Sequence, residues 1–425
     1  MSNFAFFVGI DWADKKHDIA VVNDQGKLEG LRVIEHAVDA VDALLAELLA
    51  RAEGRPIAIM LEQSKGALIN ALVLRENVFL FPINPKQLVA YRESFQNTKA
   101  KNDKKDATLL ARLLFERHRG LKPWKPDDQQ TRLLNNLCQT RRKLVEQRTS
   151  LAQQLLNLLK CFFPALFLLA DCKLYECPLL LKLLTKWPDP RQFKRQHPNS
   201  LRKIFEEFGY KNPEQTDAMI KSIKDAPIYT KDEPILECSS LGAKVIAQQL
   251  MILEEAITQL NEKIEKIMAA HPDASLFTGL RGAGAALAPR LVTAFGTDRE
   301  KFKDAEQVAC YAGVAPVTKQ SGKSCSVHRR HACNKYLLQT FHEFASSAAK
   351  WCPWSKAFYD MWKANGMKRH AILRKLAYKW IRILYRCWKT STKFDPQRYA
   401  ATLKIKTPEI IQYFPKPKQK SPKTA

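Results

Sequence analysis

The sequence predicts an α/β domain followed by an all-α region, and three observations lead there. Short apolar runs bounded by turn residues crowd the first 95 positions and alternate with helical patterns. From Asp127 to about Leu169, and again over 243–269, apolar residues recur every three or four positions with no strand signal. The chain has 425 residues, 46% of them hydrophobic, which is enough for two or three domains with buried cores.

Residues 5–10 and 17–23 read as strands around the polar turn DWADKKH, and a third strand near Leu31 to Ile34 follows the NDQGK turn. Residues 38–52 carry apolar positions at helical spacing. IAIMLEQ is then a short buried strand, GALINALVLREN a helix, VFLFPI a strand, and PKQLVAYRES a helix opened by Pro85. Three strands on short turns, followed by helix, strand, helix, strand, helix, is the order of a ribonuclease H-like fold. Beyond it, TRLLNNLCQTRRKLVEQRTSLAQQLLNLLK predicts one long helix and residues 243–269 a second. In the second, Leu250, Ile252, Leu253, Ile257, Leu260, Ile264 and Ile267 approximate a heptad step, which predicts coiled-coil packing within the chain or between subunits. The proline-punctuated stretch at about 170–240 reads as a helical insertion.

A third region opens with LFTGLRGAGAALAPRLVTAFG and runs through a Gly/Ser/Lys/His/Arg-rich loop, VTKQSGKSCSVHRRHACNK, into helices rich in Trp, Tyr, Lys and Arg. The Pro/Lys-rich end, FPKPKQKSPKTA, reads as disordered. The expected division is therefore 1–120, 121–272, 273–400 and a basic tail at 401–425.

Lys and Arg number 69 against 43 Asp and Glu, a net charge of +26, which is the electrostatic footprint of a nucleic-acid binder. No apolar stretch reaches the roughly 20 residues of a membrane-spanning helix, and the start of the chain has no basic n-region or cleavage site. A soluble, cytoplasmic protein is expected, its ten cysteines reduced thiols. Cys325, His328, His331 and Cys333 cluster in sequence, but their spacing fits no standard zinc module and they read as loop residues near a phosphate-binding surface.

Against this basic background four carboxylates stand out. Asp11 ends the run FFVGID, Glu62 ends IAIMLE, and Asp103 and Asp106 share a helix face at i, i+3. Hard divalent cations such as magnesium prefer carboxylate oxygens, and one or two such ions can stabilise the attacking and leaving oxygens of a phosphoryl transfer. A single Asp at a strand end is an ordinary turn former or cap; four at these fold positions point to a metal site.

The loop offers a hydroxyl at Ser321, with Gly322 for flexibility and Lys319, Lys323, Arg329 and Arg330 as phosphate partners. On composition alone Ser324 and Ser326 compete with it. Beside Arg281, Gly282 and Gly284 read equally as a plain helix hairpin or as a turn whose amides meet a nucleic-acid backbone. The aromatics of WCPWSKAFYDMWKANGMKRHAILRKLAYKWIRILYRCWK divide between base stacking and core, with Leu373, Leu376, Ile381 and Leu384 on one buried face.

These residues together resemble the DEDD-type transposases of bacterial insertion sequences, the recombinases guided by a bridge RNA. The resemblance is carried by VGIDWADKKHDIAVV, LEQSKGAL, INPKQ and KNDKKDATLLARLL near one end of the chain. Toward the other it is carried by GLRGAGAALAPRLVTAFG, FKDAEQVACYAGVAP and KQSGKS. It implies a RuvC-like metal site at Asp11, Glu62, Asp103 and Asp106, holding one or two Mg2+. It also implies a catalytic serine at the Ser-Gly step after YAGVAP, which is Ser321. The implied activity is DNA strand exchange through a phosphoserine linkage, on donor and target duplexes chosen by pairing with the bridge RNA, by homodimers that pair into tetramers. The alternative is a metal-only nuclease with the same tetrad, such as a junction resolvase, using water as nucleophile.

Overall fold

The protein is described by a computed structural model over residues 3–62, 66–95, 103–169, 174–322 and 324–415. The side chains of residues 86, 94, 95, 103–105 and 174 also fall outside the description. The chain divides into two compact units, Met1–Asp127 and Asp128–Ala425.

The first unit follows the predicted order: β1 (Phe6–Trp12), β2 (Lys16–Asn23), β3 (Leu28–Glu35), α1 (Val38–Arg51), β4 (Ile57–Leu61), α2 (Ala67–Leu72), β5 (Val78–Pro82), α3 (Pro85–Phe95) and α4 (Asp103–Arg117). The strands form one sheet in the order β3-β2-β1-β4-β5. β1 pairs antiparallel with β2 and parallel with β4, and β4 is parallel to β5. Strand alternation divides the core between two faces. Val8, Ile10, Ile57, Ile59 and Leu61 pack with Leu44, Leu48, Leu68 and Leu72 of α1 and α2. Phe7, Ala58 and Met60 pack with Leu88, Ala107, Leu110 and Leu114 of α3 and α4. α2 is shorter than its apolar pattern predicted, ending at Leu72.

The second unit is helical except for one ribbon. α5 (Gln129–Phe162) and α10 (Glu233–Ala270) run antiparallel along each other: Gln130 Nε2 donates to the Ile267 carbonyl at 3.3 Å, and Arg148 pairs with Glu254 at 2.9 Å. In α10, Leu250, Ile257 and Ile264 are buried at seven-residue steps, with Leu253, Leu260 and Ile267 half-buried between them. Ile252, included in the predicted heptad, lies off that seam and is 68% exposed.

The 170–240 stretch holds α6 (Pro178–Lys186), α7 (Pro190–Arg195), α8 (Pro198–Glu207) and α9 (Pro213–Asp225), with its own apolar cluster against Leu155, Leu159 and Phe162 of α5. Pro178, Pro190, Pro198 and Pro213 each open a helix, where the missing N–H costs nothing, while Pro188 and Pro227 lie between helices.

The last part contains α11 (Ala274–Thr278), α12 (Gly284–Phe295), α13 (Ala305–Tyr311), β6 (Val317–Ser321), β7 (Ser324–His328), α14 (Lys335–Trp351), α15 (Pro353–Ala364), α16 (Arg369–Lys389) and α17 (Pro396–Lys406). The segment expected to be a loop is thus a β-hairpin, paired over its whole length. Its strands are exposed on both faces, so they lack the apolar alternation that identifies a half-buried strand. Most of the aromatic stripe is core: Trp354, Phe358, Trp380 and Trp388 are buried, whereas Trp351 is exposed. Residues 401–413, expected as part of a tail, complete α17 and a 3-10 turn that buries Leu403 and Ile410; residues 416–425 lie outside the description.

Among the described residues no helix is long and apolar enough to cross a membrane. The described cysteines are free thiols; Cys172 lies outside the description.

Candidate functional site

In the first unit, three of the predicted carboxylates are placed by their elements at one corner of the sheet. Ile10 pairs in register with Leu61 across parallel β1 and β4, so Asp11 and Glu62 follow side by side at the strands' carboxyl ends. Neighbouring strands lie about 4.8 Å apart, and alternation puts both residues on the face covered by α4. Both are half-buried.

A glycine sets the approach of α4. A Cβ on Gly9 would lie 2.1 Å from the Ala107 carbonyl oxygen and 2.5 Å from the Ala111 nitrogen, so only glycine lets this helix lie against β1. The helix runs opposite to the strand: Ala107 and Ala111 meet Gly9, and Phe115 meets Phe7 with ring centroids 5.3 Å apart. Its first turn, with Asp103 and Asp106, therefore lies at the same corner as Asp11.

Asp106 is buried, and its Oδ1 accepts from Arg92 Nη2 of α3 at 2.6 Å. Nothing in the ordinary helix sequence around Arg92 marked it for this role. The side chain of Asp103 lies outside the description, and among the described residues no three acidic, His or Cys side chains close to metal-binding distance. The donor chemistry nevertheless fits a hard divalent ion, since the groups are oxygen ligands; an ion bound by Asp106 would compete with Arg92 for its carboxylate.

In the second unit, Ser321 ends β6 at the tip of the exposed hairpin. Gly322 follows at φ +54, and Lys323 lies outside the description. Directly opposed residues share a ribbon face. Ser321 faces Ser324, Lys319 faces Ser326, and Val317 faces His328, so one face carries all three serines, a lysine and an imidazole. Ser326 Oγ lies 2.9 Å from His328 Nε2.

The four Cys and His residues of this segment are not drawn together. Cys325 points to the face opposite His328, and Cys333 Sγ fills the space where a Cβ on Gly313 would sit.

At the hairpin's foot, Arg330 Nε donates to the Ala315 carbonyl at 3.4 Å, and Arg329 is exposed. Arg329 belongs to a cluster that sequence reasoning missed, because its members are spread over 46 positions. The rings of His342 in α14 and His370 in α16 stack, with centroids 5.3 Å apart and ring nitrogens at 3.4 Å. Burial and the charges of His370, Arg374, Arg329 and Arg369 hold the His342 imidazole below its usual pKa. Burial and Arg329 likewise lower Arg374. No acid sits in the first turn of α16, whose first residues are Arg369 and His370. Cations at a helix N-terminus have the wrong sign for the helix dipole unless an anion joins them.

Arg281 is exposed in the turn before α12. Gly282 there, at φ +98, packs on the backbone of Ser347 and Ala348, where a Cβ would come within 2.9 Å. Close helix packing therefore accounts for Gly282, while Gly284 faces open space. Deeper in this unit, Arg290 of α12 pairs with Glu343 of α14, which also holds Arg142 of α5 at 3.2 Å. This network locks the long helix to the helices behind the hairpin.

Comparison with known proteins bears on both regions. A family model described as "Transposase", of the DEDD type, matches residues 8–164, and a second, described as "Transposase IS116/IS110/IS902 family", matches residues 274–360. The chain is 29% identical to a protein of Streptomyces coelicolor named "Mini-circle putative transposase for IS117", over 93% of this chain and 97% of that one. It is 24% identical to the "Insertion element IS900 uncharacterized 42 kDa protein" of Mycobacterium paratuberculosis, over 92% and 97%. A further S. coelicolor relative, the "Insertion element IS110 uncharacterized 43.6 kDa protein", is 27% identical over 70% of this chain and 72% of its own.

Proposed function

We propose, from the premise that this chain belongs to the IS110 family of insertion-sequence transposases, that it exchanges DNA strands through a serine nucleophile and a carboxylate-held metal. Ser321 is the nucleophile; Asp11, Glu62, Asp103 and Asp106 hold the ion. The observation that carries the reading is the corner where the ends of β1 and β4 meet the first turn of α4, with Gly9 fixing the approach. A RuvC-like reading of this unit is supported by its element order and by the sheet order β3-β2-β1-β4-β5. We assign catalysis by the carboxylates to 1–120, helical support to 121–272 and the serine to 273–400.

Bound at the carboxylates, one or two Mg2+ would stabilise charge on the attacking and leaving oxygens. The protein's own groups do the rest. Ser321 Oγ forms a bond to phosphorus as the strand's P–O bond breaks, and the hydroxyl proton passes to the departing oxygen. The phosphoserine ester conserves the phosphodiester's energy, so a hydroxyl of another strand can reverse the step without a nucleotide triphosphate. Lys319, on the same ribbon face, and the exposed Arg329 and Arg281 are suited to strand phosphates. Arg330, partly tied to Ala315, and Lys323 complete the assigned basic set.

Sequence choice is assigned to base pairing with a bridge RNA, on the strength of the likeness to this family. Assembly into dimers and tetramers through coiled-coil contacts is supported by the exposed stripe Leu241, Val245 and Ile252 along α10.

The test is covalent trapping. Wild type incubated with donor and target DNA, its RNA and Mg2+ is expected to yield a protein–DNA adduct resistant to denaturation. Ser321→Ala is expected to yield none and to lose strand exchange by on the order of 10⁴-fold or more, while Ser324→Ala and Ser326→Ala retain both. A Ser321→Ala protein that still cleaves and rejoins DNA would sink the serine mechanism and leave the metal-only nuclease; adduct loss in Ser326→Ala alone would move the nucleophile to the serine beside His328.

A further inference from the structure

Between α16 and α17 lies a cavity of about 950 Å3, beyond the residues 8–164 and 274–360 that the family models match. It stands at the top of the ~300–1,000 Å3 range of ordinary ligand pockets, so it is larger than a single phosphate needs. Its polar lining is almost all of one sign. Lys379, Arg382 and Arg386 project from one face of α16 at i, i+3 and i+7, Lys393 stands on the connection, and Arg398 and Lys406 come from α17.

One carboxylate, Asp395, joins the lining, and it caps α17 by accepting from the Gln397 and Arg398 amides at 2.8 and 3.0 Å. Among the described residues none of the six cations has a carboxylate partner. Burial and the nearby charges of Arg382, Lys375 and Lys406 hold Lys379 below its usual pKa. A protein that gathers six cations around a concavity and leaves them unpaired is arranged for a polyanion. The rest of the wall suits a nucleotide chain. The Thr390 hydroxyl donates to the Arg386 carbonyl and sits 2.7 Å from that of Thr392, leaving oxygen lone pairs to accept, and Phe394 and Tyr399 back the wall, packed on Trp380 and Trp354.

We propose that this groove seats the sugar–phosphate backbone of a single-stranded nucleic-acid segment. A duplex keeps its phosphates on a stiff cylinder and reaches only the rim, whereas a single strand can bend inward and lay its phosphates on the six cations. The chain's own basic end, FPKPKQKSPKTA, has the same sign of charge as the groove and so lacks the complementarity of an occupant. The proposal rests on the reading that this chain handles nucleic acid, but not on Ser321 or the carboxylates.

The test uses the full chain and labelled oligo(dT), oligo(U) and a mixed-sequence duplex of equal length, with affinity measured across a salt series. The groove variant is Arg382→Gln/Arg398→Gln/Lys406→Gln. The control, Lys231→Gln/Lys263→Gln/Lys266→Gln, removes the same charge from exposed positions elsewhere in the unit. Each phosphate contact contributes about 0.7 to the single-strand salt slope, so the groove variant is expected to lower that slope by roughly 2 and to weaken single-strand binding by at least tenfold relative to the control. Duplex binding is expected to fall equally in the two variants.

Tighter oligo(U) than oligo(dT) in wild type assigns the groove to RNA through the threonine hydroxyls, and the reverse assigns it to DNA. Single-strand binding by the groove variant equal to that of the control overturns the proposal. If the triple variant does not fold, as judged by circular dichroism, Lys406→Glu, a single change at an exposed position, gives the same comparison. Ser321→Ala is expected to bind like wild type, so loss of strand-exchange chemistry and loss of the groove read out separately.

Discussion

The carboxylate corner and the serine hairpin are built on opposite principles. Asp11 and Glu62 extend strands whose interior residues Val8, Ile10, Ile59 and Leu61 have no more than 1% exposure, and α4 is pressed against them through a glycine. Ser321 instead stands at the tip of a ribbon whose residues are exposed on both faces, and a lone two-stranded hairpin is marginally stable at best in water. The first arrangement suits ligands that must be held in fixed geometry for a metal. The second suits a nucleophile that has to follow a strand as it is exchanged. On the proposed function these are a rigid half and an adaptable half of one chemistry, and the contrast predicts that they respond differently to mutation.

The largest expected difference is in activity. Asp11→Asn keeps shape and removes charge at the rigid corner; strand exchange is expected to fall by on the order of 10²–10³-fold with an unchanged unfolding midpoint. A parallel loss of stability would mean that Asp11 serves the fold and not the reaction.

The next difference is in stability, and it compares two glycines. In Gly9→Ala the added Cβ meets backbone atoms of α4 that cannot yield, and overpacking of this kind costs about 3 kcal/mol. In Gly322→Ala the Cβ meets nothing within 4 Å, and the positive φ alone costs roughly 1 kcal/mol. Urea unfolding monitored for each unit is expected to show a lowered midpoint for the first unit in Gly9→Ala and almost no global change in Gly322→Ala. Equal effects would erase the distinction between the two halves.

The same contrast governs what could be read from sequence. Asp11 and Glu62 were legible because buried strands announce themselves as apolar runs, and each carboxylate ends one. The helix carrying Asp103 and Asp106 was legible from its apolar spacing. The hairpin was not, since strands exposed on both faces have no apolar alternation to betray them; the Gly-Lys step between SerThr-like residues was its one turn signal. Arg92 was invisible for a different reason: its pairing with Asp106 is a tertiary fact, and one arginine in a helix carries no local mark. The proline-punctuated stretch at 170–240 was legible as a helical insertion, and Pro178, Pro190, Pro198 and Pro213 mark where its helices begin. The stacked His342 and His370 lie 28 positions apart on two helices, beyond the reach of any motif.

That histidine pair gives the smallest and most diagnostic prediction. Facing His342 are His370, Arg369 and Arg374 on α16 and Arg329 at the hairpin's foot, while the adjacent acid Glu343 is engaged by Arg290 and Arg142. Burial and these charges lower the imidazole's pKa in the folded protein. The unfolded chain therefore takes up the proton first, so this group's contribution to stability is present above about pH 6.5 and is lost as pH falls below it. A strand phosphate arriving at the cluster reverses the local field and favours the imidazolium, so binding takes up a proton. Affinity for nucleic acid is then expected to rise several-fold as pH falls from neutral through the histidine range, while stability without nucleic acid declines over the same range. In His342→Gln the affinity trend should flatten and the stability trend should lessen by this group's share, because burial also lowers the pKa of His17 and His271. Loss of the affinity trend on one substitution, with the other histidines intact, separates this cluster from general surface charge, which would leave the trend in place. If His342→Gln keeps the full pH dependence of binding, the cluster at the hairpin's foot is a structural contact and not a phosphate seat.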